Sequence, residues 1–437
     1  METKTNQGMD SATVRAKHGE FLFPCVANYY QEPVVVTKAS GCHVTDLDGR
    51  DYLDFFGGIL TVSLGHGHPE VADAVTEQMA KLGHTSTLYP TENIVTVAEH
   101  LAQLTPGKLK KSFFTNSGTE ADETAVLLAK LHTGSTEIIA LRHGYSGRSQ
   151  LALNLTAHSS WRLIDASIPG IRHAVSPNCY RCPMGLEYPS CNIKCAQDIK
   201  ELIETETNGK PAAFLAEPIQ GVGGFITPPP EYFEVAVGIV RNYGGLFICD
   251  EVQTGFGRTG EKWFGIEHWG VEPEIMTMAK GIANGMPVAN TIATEEVANS
   301  FTGLTISTFG GNPVTMAATE KTLEVMERED IPRRSAERGA QMRNALLEMQ
   351  KKYPFIGDVR GKGLMQAIEL VEDRKTKEPS PGKTGELLEA AKRHGLLLGK
   401  GGLYGNVLRI TPPMLISPAE IDTGCELLER ALSEVGS

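Results

Sequence analysis

Residues 244–255 read GGLFICDEVQTG, and residues 274–285 read EIMTMAKGIANG. Each carries a short, nearly continuous apolar run that stops at a group able to do chemistry, Asp250 in the first and Lys280 in the second. Runs of this length bounded by glycine read as strands buried on both faces, the kind found in parallel sheets. Outward from this pair the pattern repeats in KSFFT (111–115), EIIAL (137–141), AAFLA (212–216) and NTIAT (290–294), with helical stretches between. That succession predicts an α/β fold built on a largely parallel sheet. Polar residues follow most of these strands: Asn116-Ser117-Gly118-Thr119, His143-Gly144-Tyr145, Glu217, Asp250 and Lys280. Ligands of open α/β sheets sit outside the carboxyl ends of the strands, so these positions are expected to converge on one crevice.

The chain has 437 residues, enough for two or three packed subdomains. Residues 1–70 read as an N-terminal segment with short strands around the Asp48-Gly49 turn, and residues 71–320 as the large domain. Residues 321–437 read as a smaller α+β domain that opens on a charged helical stretch, RRSAERGAQMRNALLEMQKKY, and contains a mobile loop in VEDRKTKEPSPGK. A net charge of −12 argues against general nucleic-acid or anionic-membrane surfaces and favours a small-molecule partner. The polar N-terminal stretch, with no apolar segment of membrane-spanning length, points to the cytoplasm. Eight cysteines in that setting suggest free thiols. Cys179, Cys182, Cys191 and Cys195 nevertheless cluster in NCYRCPMGLEYPSCNIKC, where thiolate ligation of zinc competes with an irregular surface excursion; the expectation is no metal.

Individual motifs have competing readings. In KSFFTNSGTEADETAVLLAKLHTG a strand turns into a helix whose free N–H groups could bind phosphate, although Asn-Ser-Gly-Thr is also an ordinary cap. Gly255, Gly257 and Gly260 fit GxGxxG, but no helical periodicity follows them, and Asp250 and Glu251 place negative charge where a pyrophosphate would lie; a dinucleotide site is rejected. His66 and His68, in GHGHPE, read as a turn rather than a metal pair. Tyr145 is either a core aromatic or a ring laid on a flat ligand. Arg409, flanked by apolar residues in NVLRITPPM, reads as a buried guanidinium that needs an anion. Asp250 and Lys280 together could cradle a cofactor ring.

With NSGTEA, HGYSGR, AEPIQG, DEVQTGFGRTG, MAKG, STFGGNP and LRITPP in order, the chain resembles the class III, or ω-type, aminotransferases of the fold type I pyridoxal-phosphate enzymes. The resemblance runs from about residue 20 to the end, and the four-cysteine segment is similar to insertions in the alanine–glyoxylate aminotransferase 2-like branch. It implies pyridoxal 5'-phosphate as cofactor, a large cofactor domain, a small domain made from both chain ends, and a homodimer with shared active sites. Lys280 would hold the cofactor covalently and then shuttle a proton, and Asp250 would pair with the ring nitrogen. Gln253 would bond the ring hydroxyl, Tyr145 would stack on the ring, and Ser117, Gly118 and Thr119 would hold the phosphate. Thr308 would reach the phosphate of the neighbouring subunit. Arg409 would bind a keto-acid carboxylate and Glu217 would pair with Arg409 when an uncharged end enters. GFGRTG would then be a turn beside the cofactor.

The implied activity is ping-pong transfer of an amino group from an amino acid or ω-amino compound to pyruvate, glyoxylate or 2-oxoglutarate. The alternatives are a racemase, epimerase or decarboxylase on the same fold, or a non-catalytic binding protein. Phe23, Tyr29 and Tyr30 are candidate pocket aromatics, although core packing explains them equally well. GMPVANT departs from the glycine- and alanine-rich sequence of relatives and leaves pocket shape open.

Overall fold

The computed structural model describes residues 8–26, 28–164 and 168–436. Its centre is a seven-stranded sheet in the order Leu109–Thr115, Ala289–Thr294, Ile275–Met278, Leu246–Asp250, Pro211–Ala216, Glu137–Leu141, Ile171–Ala174. Ala289–Thr294 runs antiparallel to both neighbours and the other pairings are parallel. Each of the six expected strands is present to within two residues at either end. The seventh, Ile171–Ala174, is an edge strand of sequence IRHA, partly exposed along most of its length, and carries no apolar run to announce it.

Local chemistry explains how the sheet acquires a ligand-binding end. The Leu109–Thr115 strand passes directly into the helix Gly118–Thr133, with Ser117 as its N-cap. Ser117 Oγ accepts from Glu120 N (3.3 Å), and Glu120 Oε2 accepts from Asn116 N (2.8 Å). A reciprocal cap of this kind contributes about 0.5–2 kcal/mol and fixes where the helix starts. Gly134, in the left-handed region, ends it. Ala121, Ala125 and Ala129 form a fully buried stripe at four-residue spacing, so the helix lies close against the Ile275–Met278 and Ala289–Thr294 strands.

The remaining strands form two smaller sheets. One joins Val36–Ser40, His43–Asp46 and Asp51–Asp54 to Leu396–Leu397, with Leu396 opposite Leu53. The other has the order Ile356–Lys362, Met365–Leu370, Val407–Ile410, Gly399–Gly401 and is antiparallel throughout. The helical stretch expected from residue 321 begins earlier, at Pro313, and is two helices, Pro313–Arg328 and Ile331–Lys352, separated by Asp330 in the left-handed region. Among the described residues no helix is long and apolar enough to cross a membrane.

Two expectations require correction. The loop 371–380 is pinned, because Arg374 donates from Nε to Ile356 O (3.0 Å) and from Nη2 to Tyr353 O (2.9 Å). The glycines of GFGRTG serve helix packing and do not line the ligand cavity described below. A Cβ on Gly257 would meet Ile331 at 2.9 Å, and one on Gly260 would meet the Ala336 backbone at 2.8 Å, so both glycines let the Ile331–Lys352 helix approach.

Candidate active site

The sheet register assembles the site. Ala216 lies opposite Cys249, and Asp250 lies opposite Thr277. Glu217, Asp250 and Lys280 therefore stand at the carboxyl ends of three adjacent strands. They line a cavity of about 300 Å³ together with Ser117, Gly118, Thr119, Tyr145 and Gln253. Eight of the ten residues expected in the site thus share one cavity; Arg409 and Thr308 lie outside its wall. Lys280 itself adopts φ +48°, uncommon for a residue with a side chain and a form of backbone strain that clusters at functional sites.

Burial sets the protonation states. Lys280 is half-buried, and loss of hydration lowers its pKa, opposed by the charges of Asp250 and Glu217 and assisted by Arg409. Burial raises Asp250 to about 6, against the lowering effect of Val252 N, which donates to its Oδ1 (2.9 Å), and of Lys280. Burial also raises Glu217, to about 8, and the charge of Asp250 adds to the rise; Gly221 N and Tyr145 N, which donate to its two oxygens at 2.7 and 3.1 Å, oppose it.

Other contacts shape the walls. Gly118 begins the helix, and a Cβ there would come within 3.3 Å of Val252, so the backbone meets the cavity closely. The first N–H groups of such a helix lack intrahelical partners. Thr119 packs on Gly147, where any Cβ would fall 2.0 Å from its Oγ1. Gly221 likewise leaves room for the Gln253 amide, whose Oε1 is buried without a partner. The Tyr145 ring meets Trp161 edge-on at 5.5 Å. Arg409 is buried in the Val407–Ile410 strand, and Nη1 of its guanidinium has no partner among the described residues. Glu217 accepts from the backbone N–H groups of Tyr145 and Gly221 and not from Arg409 in this structure, which holds no substrate. Thr308 is exposed on a loop beside Ser307 and Phe309, on the outer side of Asn116.

Asp122 was not anticipated. It lines the same cavity, is 1 % exposed, and accepts from Thr277 Oγ1 at 2.8 Å. Burial, reinforced by the charge of Asp250, holds its carboxyl well above the usual range. Its spacing of four from Gly118 was the available signal, since it places both on one helix face. Asn284 was also missed: it accepts from Leu64 N (2.8 Å) and donates to Gly65 O (3.0 Å), tying the N-terminal segment to the Lys280 turn. His66 is explained by its 2.8 Å contact with Asp54 Oδ2. Cys179, Cys182, Cys191 and Cys195 surround a small apolar cavity as free thiols. Among the described residues no group of three or more His, Cys, Asp or Glu side chains is arranged to hold a metal. Tyr29 contacts Arg409 and Tyr30 packs at Leu398, whereas Phe23 is exposed.

Comparison with known proteins gives this geometry a family. The model of class III aminotransferases matches residues 25–432. A mitochondrial alanine–glyoxylate aminotransferase 2 homolog from Arabidopsis thaliana is 40% identical, over 98% of this chain and 89% of its own. A leucine/methionine racemase from Thermococcus litoralis is 36% identical, over 95% and 94%. An amine transaminase from an uncultivated Pseudomonas species, solved with pyridoxal phosphate bound, superposes with a TM-score of 0.88 at 29% identity, over 95% of this chain and 98% of that one.

The cavity suits that cofactor. A half-buried amine is available for its aldehyde, Asp250 has one oxygen without a hydrogen bond among the described residues for its ring nitrogen, and a helix N-terminus is available for its phosphate. The unpartnered Gln253 amide oxygen remains for its ring hydroxyl. Fold, cavity and matched residues agree, and the chain belongs to the class III aminotransferases, as a pyridoxal-phosphate-dependent enzyme.

Proposed function

We propose that the enzyme moves an amino group from an amino acid or ω-amino compound to a keto acid of the pyruvate, glyoxylate or 2-oxoglutarate class, in two half-reactions. The observation that carries this reading is the Lys280 amine beside Asp250 and Glu217 at three neighbouring strand ends, lining one cavity. When bound, pyridoxal phosphate supplies an aldehyde that amines can join and a protonated ring that accepts electron density. Lys280, whose pKa is lowered by loss of hydration, would be the amine for that aldehyde and the base that carries a proton at the substrate carbon. Asp250 would keep the ring nitrogen protonated and Gln253 would bond the ring hydroxyl. Tyr145 would stack on the ring, while Ser117, Gly118 and Thr119 would hold the phosphate. Glu217 holds the Tyr145 backbone in place, and Arg409 anchors a substrate carboxylate.

We further propose a homodimer in which Thr308 reaches the partner's phosphate site. Its exposure on a loop that also presents Leu304 and Ile306 supports this. The small domain is proposed to draw on residues 1–70 and 321–437 around a large domain of 71–320; the sheet shared by Leu53 and Leu396 supports that division. The eight free thiols support a reducing compartment, proposed to be the cytoplasm.

Lys280→Ala tests the reading. Amino transfer is expected to fall by about 10²–10⁴-fold or more, with loss of the absorbance band of lysine-bound cofactor. Undiminished turnover would refute it. The 36% identity to a racemase supports a second reading, inversion of an amino acid without net transfer. Stoichiometric consumption of an added keto acid separates the two.

A further inference from the structure

Arg409 poses a problem that the proposed pocket does not solve. It is 3 % exposed, and among the described residues no acidic side chain pairs with it. Its guanidinium lies over the Phe56 and Phe225 rings, 4.9 and 5.8 Å from their centres. Nε donates to Lys400 O (3.0 Å), Nη2 donates to the Tyr29 hydroxyl (3.3 Å), and Nη1 has no acceptor among the described residues. An unmet N–H on a buried cation is costly and marks a place for an anion.

Tyr29 completes the arrangement. Its ring is tilted against Phe56 at 5.8 Å, so it is held beside the guanidinium. Tyr29 is 37 % exposed, and among the described residues its proton meets only Lys400 O, at 3.5 Å, the outer limit for a hydrogen bond. The hydroxyl therefore accepts from a cation while its proton is weakly engaged, which makes it a better donor toward a new acceptor. Glu217, the alternative companion for Arg409, has both oxygens committed to Tyr145 N and Gly221 N.

We propose that Tyr29 is a second ligand for the substrate carboxylate, its hydroxyl donating alongside Arg409 Nη1. The proposal rests on the reading of Arg409 as the carboxylate anchor. Nη2 stays on the Tyr29 oxygen and holds the hydroxyl in place, and the proton leaves Lys400 O for the incoming carboxylate. The pair rewards an anion and gives an uncharged group nothing, so Tyr29 is a specificity-determining residue on the N-terminal segment.

The test uses the holoenzyme and propionate, a carboxylate without an amine, titrated through its effect on the cofactor's visible absorbance. Tyr29→Phe keeps the ring against Phe56 and removes only the hydroxyl. It is expected to raise the propionate dissociation constant about tenfold and leave cofactor affinity and Tm unchanged, while Arg409→Leu raises that constant about a hundredfold or more. For whichever keto acid is consumed, Tyr29→Phe should raise KM about tenfold with kcat within about twofold. Unchanged propionate binding in Tyr29→Phe, with a large effect in Arg409→Leu, overturns the role of Tyr29 and leaves the anchor standing. No effect from either substitution, or no response of the parent enzyme to propionate, refutes the anchor and the proposal with it. A parallel fall in cofactor affinity and Tm in Tyr29→Phe would show a packing role only and would also overturn it.

Discussion

Three carboxyl groups, Asp122, Glu217 and Asp250, share one cavity with Lys280, and water is largely withheld from all three. The cost of that crowding depends on pH. Glu217 titrates near 4.5 when unfolded and is raised to about 8 when folded, so between these values the folded chain holds more protons than the unfolded one. Its contribution to stability is full below pH 4.5 and is lost as pH rises toward 8. Cofactor-free enzyme is therefore expected to melt at a lower temperature at pH 8 than at pH 5. Glu217→Gln should narrow that difference, as differential scanning calorimetry would show, and an unchanged difference would exclude Glu217 as its source. Comparison of the two proteins separates this effect from Lys280, whose depressed amine acts in the opposite sense at higher pH.

At the scale of elements, the alanine stripe of the Gly118–Thr133 helix sets how close the phosphate-binding turn sits to the strand ends. Ala125→Leu would overpack that contact, at a cost of about 1–3 kcal/mol, and would push the helix start outward. Urea unfolding and the cofactor dissociation constant should both register it, and a loss of stability without a loss of cofactor affinity would separate packing from site geometry. The strands that carry Asp250 and Lys280 were legible because buried parallel strands are written as apolar runs closed by a charge. Asp122 was not, since between Glu120 and Glu123 it looks like one more residue of a solvated helix face, and only the sheet decides that it is buried. The Tyr29 to Arg409 contact was equally invisible, because it joins residues 380 positions apart.

For the whole molecule, the proposed dimer places the loop around Thr308 between subunits. Leu304 on that loop is fully exposed, so Leu304→Asp leaves the isolated fold unstrained. If the loop is buried between subunits, the charge should raise the dimer dissociation constant by about 30-fold or more in sedimentation experiments, with weaker cofactor retention. An unaltered dimer would place the interface elsewhere. The sheet that pairs Leu53 with Leu396 sets a different constraint, one of time. The two residues are 343 positions apart, so at about 5–20 residues per second the Asp51–Asp54 strand leaves the ribosome roughly 20–70 s before its parallel neighbour exists. Until then its edge stands unpaired and open to other chains. Production of active enzyme should accordingly be limited by how well this early strand is shielded during synthesis, even where the finished fold is stable.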